Sequence, residues 1–338
     1  MAEELLLSDL TSMGVITEAT YGAGVPANGT RQFGIMKGAI TFPEDAIDWI
    51  PEYMHGHGRN PKLFAEGKHE CKGSMEFHVQ NARFLNLALG GKLTETSHSG
   101  YKKHIIEAAS AEDVHASGYR AVPSFAWQVS HTSIGDTNWM KYALGCKVNT
   151  MTLRAEDEGI LTASLDIIAQ KVMDGSTSIV TPALEATNVY QFSGGHVTIF
   201  GALLAEVVSF ELEINNNLKP KFYWSSASGK FITTLLEQRR EIVVKMKVGI
   251  KDKTVFTRLI AGRVPGSWDK FDVVLKCIRD SPSPATDDYI QITCKDCWLK
   301  SAPTQIPEED IEIESELEIV VGYIDNIEVR DQITNFWS

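Results

Sequence analysis

The chain has 338 residues, a length that suits two average domains better than one. Its net charge at pH 7 is −12. Hydrophobic residues make up 43% and charged residues 22%, which is typical of a folded protein and excludes an intrinsically disordered one. The negative charge argues against electrostatic capture of nucleic acid or of an anionic membrane surface. The negative charge does not exclude a protein that surrounds nucleic acid without binding it tightly.

The N-terminal segment and the hydropathy bear on localisation. No apolar run approaches the roughly 20 residues that a membrane-spanning helix needs. The opening MAEELLLSDLTSMG carries acids where a signal peptide needs a positive charge. We therefore expect assembly in the cytoplasm and no membrane partner.

Strand-like segments recur along the whole chain. They are rich in Val, Ile, Thr, Phe and Tyr and are separated by Gly, Asn and Pro. In chain order they are CKGSMEFHV, PSFAWQVSH, GCKVNTMTLRA, GILTASLDIIAQ, HVTIFGALLAEVVSFELEI, REIVVKMKVGI, KFDVVLKCIRD and DYIQITCKDCWL. Good helical spacing with a closing glycine is found in NARFLNLALGG at 81–91 and DKTVFTRLIAG at 252–262. The sequence therefore predicts a mainly β protein with two short helices.

The same order of elements occurs twice, which indicates an internal duplication. The matched positions, first copy before second, are Phe33 and Phe200, Met75 and Met246, Phe125 and Phe271, and Cys146 and Cys294. We expect two related β domains, each with a short helix. The first spans 1–175, with an N-terminal arm and an inserted loop at 93–123, and a linker at 176–195 leads to the second at 196–338.

A row of glutamates marks the end of the second copy, where EEDIEIESELEIVVG at 308–322 alternates apolar and acidic residues. The row comprises Glu312, Glu314, Glu316 and Glu318, and its counterparts in the first copy are Thr162, Ser164 and Asp166. Because a period of two is the strand period, the glutamates share one face. No lysine or arginine interrupts the row, so it is tolerable only in water. It predicts a solvated strand face or charged edge, or else a surface that must not bind something negative.

Candidates for catalysis or metal binding are poorly arranged. The C-x-x-C spacing of Cys294 and Cys297 lies in a strand-like run, where residues three apart point to opposite faces, and it has no second pair. His55 and His57 lie in a glycine-rich segment without a third ligand at a suitable spacing. The Tyr-Gly-Ala-Gly at 21–24 has neither the preceding strand nor the lysine of a nucleotide loop. We therefore expect no catalytic residue, no metal site, no cofactor and no enzymatic activity.

Several motifs follow one another in a fixed order over most of the chain. They are a Tyr-Gly-x-Gly opening, a lysine-glycine strand before an apolar helix that ends in Gly, a Gly-Cys-Lys-Val-Asn-x-x-x-Leu strand before an acid-glycine turn, and Glu-Ile-Asn-Asn-Asn-Leu. The stretches that carry them are ITEATYGAGVPANGTRQFGIMKGAITFPEDAIDWIPEY, GKHECKGSMEFHVQNARFLNLALGG, YALGCKVNTMTLRAEDEGILTASLDIIAQKV and VVSFELEINNNLKPKFYW. Together they resemble the tail tube proteins of long-tailed, siphovirus-like phages or related archaeal viruses.

The resemblance implies a structural virion protein, the major tail tube subunit, which is assembled in the host cytoplasm and has no cofactor. Its β-sandwich domains would form rings lined by a continuous inner β-barrel, and stacked rings would conduct viral DNA from capsid to host without binding it specifically. If each domain lends about four strands, six domains supply roughly 24, so three duplicated chains would close a pseudo-hexameric ring. A homohexamer is the alternative. Expected partners are further copies of the chain and the tape measure, tail terminator and baseplate proteins, and the resemblance favours a non-contractile tail.

The resemblance also suggests roles for particular residues. A wall rich in glutamate would repel phosphate, so we expect the acidic row and its counterparts to face the lumen. The segment 43–66 lies where a loop of the family contacts the neighbouring ring, and Trp49, Ile50 and Tyr53 would be its apolar anchors. The alternative for this segment is an ordinary surface loop.

Two other classes of protein stay open. The first is another ring-forming tail or baseplate component, whose rings would not polymerise. The second is a carbohydrate-binding or enzymatic β-sandwich, a monomer with an aromatic-lined cleft, for which Trp224, Trp268 and Trp298 are available. Oligomer size separates both classes from the tube interpretation.

Overall fold

β-strands make up most of the part of the chain that the computed structural model describes. The described residues are 11–23, 31–38, 40–53, 59–107, 121–131, 139–156, 159–174, 187–204, 207–223, 230–249, 270–279, 288–303, 314–333 and 336–337. The first-half elements are β1 (Thr11–Thr17), β2 (Gly34–Met36), β3 (Thr41–Glu52), β4 (Leu63–Val79), α1 (Arg83–Leu89), β5 (Lys92–His98), β6 (Tyr101–Glu107), β7 (Phe125–His131), β8 (Trp139–Glu156), β9 (Thr162–Ala169) and β10 (Lys171–Asp174). The second-half elements are β11 (Gln191–Ile199), β12 (Ala202–Leu204), β13 (Val207–Asn215), β14 (Lys219–Lys221), β15 (Thr234–Leu236), β16 (Glu241–Gly249), β17 (Phe271–Arg279), β18 (Asp288–Ser301), β19 (Glu314–Val320) and β20 (Tyr323–Asp331).

Antiparallel pairing joins most of these strands into one long sheet and two flanking sheets, while β14 and β15 form a separate two-stranded sheet. The long sheet has the order β3, β4, β9, β8, β13, β16, β19 and the C-terminal end of β18. The first flanking sheet contains β1, β7, the N-terminal part of β8 and β10. The second contains β11, β17, the N-terminal part of β18, β20, β6 and β5. Because β8 and β18 each take part in two sheets, they tie the flanking sheets to the long one.

The main core of the described residues lies on one face of the long sheet and includes residues from both halves, and Ile168, Leu218, Ile232 and Leu235 form a smaller separate cluster. Its strands alternate buried apolar and outward polar residues, as strands with one solvated face do. Fully buried members from successive strands include Phe77, Leu165, Leu153, Leu212, Val244 and Ile319. Each such side chain stabilises the fold by about 1.5–3 kcal/mol relative to an exposed position.

The helix α1 confirms the helix predicted at 81–91, and all of its residues are buried. Residues of the second half satisfy the carbonyl groups at its C-terminal end, which no intrahelical donor can reach. Asn216 Nδ2 donates to Ala88 O at 2.8 Å, and Arg240 Nη2 donates to Leu89 O at 2.8 Å. The helix therefore fastens the two halves together. The second predicted helix, 252–262, lies outside the described residues.

Strand pairing follows the same plan in both halves. β4 pairs with β9, β7 with β8, and β8 with β9. In the second half β16 pairs with β19, β17 with β18, and β18 with β19. The register agrees as well, because Met75 lies opposite Leu165 and its predicted counterpart Met246 lies opposite Leu317.

The matched bends of β8 and β18 correct one of the predicted matches. Phe125 pairs with Cys146, and its counterpart Phe271 pairs with Cys297, so Cys146 corresponds to Cys297 and the predicted match with Cys294 was wrong. The residue before each of these cysteines has a positive φ, 63° at Gly145 and 51° at Asp296. This local conformation interrupts the strict strand alternation.

The same bend overturns the expectation that Cys294 and Cys297 point to opposite faces. Both side chains are fully buried in the core, and all five cysteines of the chain are free. Burial raises the pKa of the Cys297 thiol to about 12, which keeps it protonated and unreactive.

Two segments predicted as loops form hairpins instead. Residues 43–66 lie mostly in the paired strands β3 and β4. The first part of 93–123 lies in β5 and β6, and β6 also pairs with β20. Both hairpins are rich in polar residues, so they lack the apolar alternation that identified the other strands.

Candidate functional site

The outward face of the long sheet, which we call the polar face, carries charged and hydroxyl side chains from six neighbouring strands. They are Lys72, Ser74 and Glu76 of β4, Ser164 and Asp166 of β9, Thr152, Arg154 and Glu156 of β8, Ser209, Glu211 and Glu213 of β13, Lys245 and Lys247 of β16, and Glu314, Glu316 and Glu318 of β19. Acidic side chains outnumber basic ones. The face is therefore polar throughout and electrostatically negative on balance.

The two sets of residues predicted to be equivalent lie on this one face. Asp166 is opposite Ser74 of β4, and Glu318 is opposite Lys245 of β16, the corresponding position in the second half. Strands β8, β13 and β16 lie between the two sets. Thr162, by contrast, is only 4% exposed and contributes little to the surface. Glu312 lies outside the described residues.

Lysines from the neighbouring strands partly neutralise the acidic row, although no basic residue interrupts it in sequence. Lys300 Nζ lies 2.7 Å from Glu318 Oε1, and this hydrogen bond lowers the pKa of the Glu318 carboxyl. Lys247 forms an ion pair with Glu314. The sequence did not predict this neutralisation because it depends on cross-strand register. Lys247 lies opposite Glu316, which places it beside Glu314 on the same face.

Charges farther across the polar face also pair between strands. Arg154 Nη2 lies 2.6 Å from Glu76 Oε1, and Lys245 Nζ lies 2.8 Å from Glu211 Oε1. Partial desolvation raises the pKa of the Asp166 carboxyl. Exposed pairs of this kind contribute about 0–1 kcal/mol each, so they shape the surface potential more than the stability.

A shallow groove of about 440 Å³ crosses the polar face where β8, β13, β16 and β19 meet. Arg154, Glu211, Lys245, Glu316 and Glu318 contribute to its lining. Its charges alternate in sign around a lining that also includes Phe210, Met246 and Leu317, so the groove is open and mixed in character. Within the described ranges, no group of three or more His, Cys, Asp or Glu side chains could hold a metal ion.

The hairpin of β3 and β4 protrudes beyond the rest of the long sheet. Residues 71–78 of β4 pair with β9, whereas 63–70 pair with β3 alone. This free part extends about 26 Å at the usual rise of a strand. Trp49, Ile50 and Tyr53 are 53%, 47% and 62% exposed there, so they lie on the surface of the hairpin.

Sequence reasoning missed two further apolar residues on this hairpin. Leu63 and Phe64 are 61% and 60% exposed and pair opposite Glu52 and Pro51. Strand alternation places Phe64 on the face of Trp49 and Tyr53, and Leu63 on the opposite face with Ile50. The hairpin therefore carries an exposed apolar patch that covers both of its faces, which in a soluble protein marks a contact surface.

A buried histidine holds the base of the hairpin. His69 Nδ1 donates to Asp45 at 2.7 Å, and Nε2 donates to Glu66 Oε1 at 2.7 Å, while the side chain is only 5% exposed. Burial opposes the charged form, but the hydrogen bonds to Asp45 and Glu66 outweigh it and raise the pKa of His69. The ring therefore links β4 to β3 through its hydrogen bond with Asp45.

The comparisons with known proteins agree with this architecture. The family model for phage tail tube proteins matches residues 8–314, most of the chain. A search of curated proteins finds no match. In the part of the chain that the structure describes, no helix is long and apolar enough to span a membrane. With a mainly β fold and a family match over nearly its whole length, the chain belongs to the phage tail tube proteins, the structural subunits of the virion tail.

Proposed function

We propose that this chain is the major tail tube subunit, whose rings stack into a hollow tube that conducts viral DNA from capsid to host. The observation that carries the proposal is the polar face, a broad, net acidic surface on the side of a continuous sheet that faces away from the protein core. Such a wall repels phosphate, so it avoids the counterion-release binding that would hold DNA in place. The chain then acts as a structural conduit, without catalysis.

Three chains close one ring in this proposal. Each half contributes four strands to the long sheet: β3, β4, β9 and β8 from the first, and β13, β16, β19 and β18 from the second. Three copies supply about 24 strands, more than the 16–18 that already leave an aqueous channel. The tube domains are 1–175 and 196–338, joined through 176–195, and a homohexamer would double the circumference.

The polar face lines the lumen. Glu314, Glu316 and Glu318 of the second domain and Ser164 and Asp166 of the first project from it, with Thr162 beneath the surface. Glu312 extends the row by sequence. Charge then alternates around the ring, because the first domain presents a single carboxylate where the second presents a row.

The protruding hairpin joins one ring to the next. Trp49, Ile50 and Tyr53 act as apolar anchors, together with Leu63 and Phe64. Burying this patch against an adjacent ring gains about 25 cal/mol for each Å² of apolar surface removed from water. The other partners are the tail proteins at the ends of the tube and the tape measure protein inside it, within a virion whose tail is non-contractile.

The test of assembly is negative-stain electron microscopy beside the mass in solution by light scattering. We expect rings or tubes, with a mass of three chains per ring. Rings that never stack favour a tail-end or baseplate component, and a monomer at high concentration refutes the proposal. Trp49→Ser with Phe64→Ser is expected to leave rings but abolish stacking.

The test of the lumen is reversal of its charge. Glu316→Lys with Glu318→Lys should leave ring formation intact and slow DNA release from virions, because the polar face loses its net negative charge and gains two lysines that can pair with phosphate. The matched control is Asp272→Lys with Asp325→Lys, which changes the net charge equally on a flanking sheet. Equal ejection rates for the two variants would show that the polar face does not line the lumen.

A further inference from the structure

The connection between two matched strands differs between the halves. β4 and β16 are matched because Glu70 and Glu241 each precede the matched methionines by five residues. Their partner strands are matched as well, since Ala46 of β3 lies opposite Glu70 and Asn215 of β13 lies opposite Glu241. In the first half β3 and β4 continue beyond this point as the protruding hairpin, whereas in the second half β13 and β16 end there.

The chain between β13 and β16 packs on the first half. We call its described parts, 216–223 and 230–240, the brace. They include β14 and β15. The brace contacts β9 through the smaller apolar cluster, which includes Ile168. Lys147 Nζ of β8 lies 2.9 Å from Glu237 Oε1 of the brace. The brace is therefore anchored to two strands of the long sheet that belong to the first half.

β4 carries a β-bulge where the protruding hairpin begins. Its register against β3 shifts between the pairs Ile47–His69 and Trp49–Glu66, so two residues of β4 face one residue of β3. One of the two is Gly67, where an added Cβ would lie 2.5 Å from a backbone oxygen of β3. Because a bulge bends its strand, the direction of the hairpin is set at this position.

The brace contacts β4 on both sides of this bulge. On the sheet side, His69 N donates to Lys230 O at 3.0 Å, a backbone hydrogen bond beyond the strand pairing. The His69 and Phe231 rings also pack together, with centroids 4.7 Å apart. On the hairpin side, Lys230 Nζ forms an ion pair with Glu66. Lys230 therefore bridges the two ends of the bulge.

The bulge itself also contacts the brace. Lys68, the second of its two residues, places Nζ 5.1 Å from the centre of the Phe222 ring, which is within the range of a cation–π interaction. Phe222 in turn packs against the smaller apolar cluster. The brace therefore holds β4 before, within and after the bend.

We propose that the brace fixes the angle at which the protruding hairpin leaves the long sheet and so positions the apolar patch for stacking. This inference rests on the proposed role of the hairpin in joining rings, and it assigns the second half a part in that role. Pairing of β3 with β4 alone is a weak support, because an isolated two-stranded hairpin is only marginally stable in water. A fixed hairpin also loses less conformational freedom when rings join.

The duplicated halves then have different tasks at this connection. The first half presents the stacking hairpin, and the second half uses the equivalent connection to support it. Each chain offers one stacking hairpin, so the number of such contacts between two rings equals the number of chains in a ring.

The first experiment measures the direction of the hairpin by electron-electron resonance between two spin labels in the dilute protein. Glu52→Cys labels the hairpin and Asp166→Cys labels the long sheet, roughly 36 Å away at the usual rise of a strand. We expect a narrow distance distribution in this doubly labelled chain. It should broaden clearly when Lys230→Ala and Phe231→Ala are added. The native cysteines are buried and take up little label.

The matched control is Lys219→Ala with Tyr223→Ala. It also removes one lysine and one aromatic side chain from the brace, but both are exposed. We expect this variant to keep the narrow distribution. Equal broadening by both pairs of substitutions, or broadening by neither, overturns the proposal.

A single substitution covers the case in which Lys230→Ala with Phe231→Ala does not fold. Lys230→Glu sets a second carboxylate against Glu66, and the Lys230 side chain is 52% exposed, so the change spares the core. The like charges should broaden the distance distribution. An unchanged distribution in this folded variant would refute the proposed hold on the hairpin.

The second experiment measures stacking by negative-stain electron microscopy over a range of protein concentrations. Lys230→Ala with Phe231→Ala should form rings normally but need a concentration about tenfold higher to form tubes. The control variant should stack like the unmodified chain. Identical stacking by all three proteins refutes the positioning role and leaves the proposed function intact. Broadened distances in a chain that never forms tubes refute the proposed function and support the hold of the brace on the hairpin.

Discussion

β3 and β13 occupy the same place in the two halves, yet one is exposed and the other is covered. Leu212 of β13 is fully buried opposite Leu153, whereas Phe42, at the register shift in the corresponding part of β3, is half-buried and packs on Trp127, with ring centroids 5.0 Å apart. The difference arises from the neighbour, because β8 covers β13 and the described chain supplies no such strand for β3. Matched strands therefore contribute differently to the stability of the fold, because their neighbours bury them to different extents.

The largest expected effect comes from a substitution in the covered strand, β13. Leu212→Ala should lower the free energy of unfolding by about 2–5 kcal/mol, because it leaves a cavity at the junction between the halves. Phe42→Ala should cost clearly less in the monomer, since its side chain is already partly exposed to water. Urea unfolding at low protein concentration measures both. Equal losses would mean that the β3 edge is already covered in the dilute protein.

A smaller effect sharpens the comparison at the bends of β8 and β18. Gly145 has a φ of 63°, and an added Cβ would lie 2.7 Å from Gln170 Cβ, so Gly145→Ala should cost about 1–3 kcal/mol. Asp296 already holds a side chain at a φ of 51°, so Asp296→Gly should change stability by no more than about 1 kcal/mol. Thermal unfolding of the two variants provides the measurement. A larger loss at Asp296 than at Gly145 would contradict the proposed difference in strain.

The smallest effect depends on pH and contrasts two residues at matched positions. His69 directly precedes Glu70 in the first half, and Arg240 directly precedes the corresponding Glu241 in the second half. The pKa of His69 is raised in the folded state, so its stabilising contribution is present below the unfolded pKa of about 6.5 and is lost as pH rises through the folded value. His69→Gln should therefore destabilise the protein at pH 6 and lose that effect by pH 9. Urea midpoints over this range test it.

Arg240→Gln is the matched control, because arginine does not titrate in this range. Its deficit should be the same at pH 6 and pH 9. The titratable groups around His69 are Asp45, Glu66, Cys71 and Lys230. Hydrogen bonds from Lys230 and His69 lower the pKa of Glu66, and burial raises the pKa of Cys71 to about 12. A deficit of His69→Gln that does not vary with pH would show that packing, rather than charge, is lost.

Sequence reasoning identified the elements whose pattern reflects the core. Each of the strand-like runs from CKGSMEFHV to DYIQITCKDCWL overlaps an observed strand, and the helix at 81–91 was confirmed as α1. Alternation in the sequence also placed Asp166 and Glu318 each on the polar side of its own strand, as the structure shows for β9 and β19. These predictions succeeded because burial on one side imposes a period of two.

The remaining features depend on tertiary contacts that the pattern of one amino-acid sequence does not reveal. The β3–β4 hairpin projects past the sheet, so no core imposes alternation on TFPEDAIDWIPE, and Leu63 and Phe64 went unnoticed. The match of Cys146 to Cys294 failed because β18 carries two buried cysteines, and only the strand pairing shows that Cys297 is the one opposite Phe271. The lysines that neutralise the acidic row come from β16 and β18, whose register follows from tertiary pairing.

The capping of α1 by Asn216 and Arg240 has a consequence for the order of folding during translation. Both donors belong to the second half, so they leave the ribosome only after the helix and its strands have been synthesised. Until then the carbonyl groups of Ala88 and Leu89 need other donors, and the apolar face around Leu153 has no β13 beside it. The nascent first half is therefore incomplete on its own, and native structure forms cooperatively once the second half arrives.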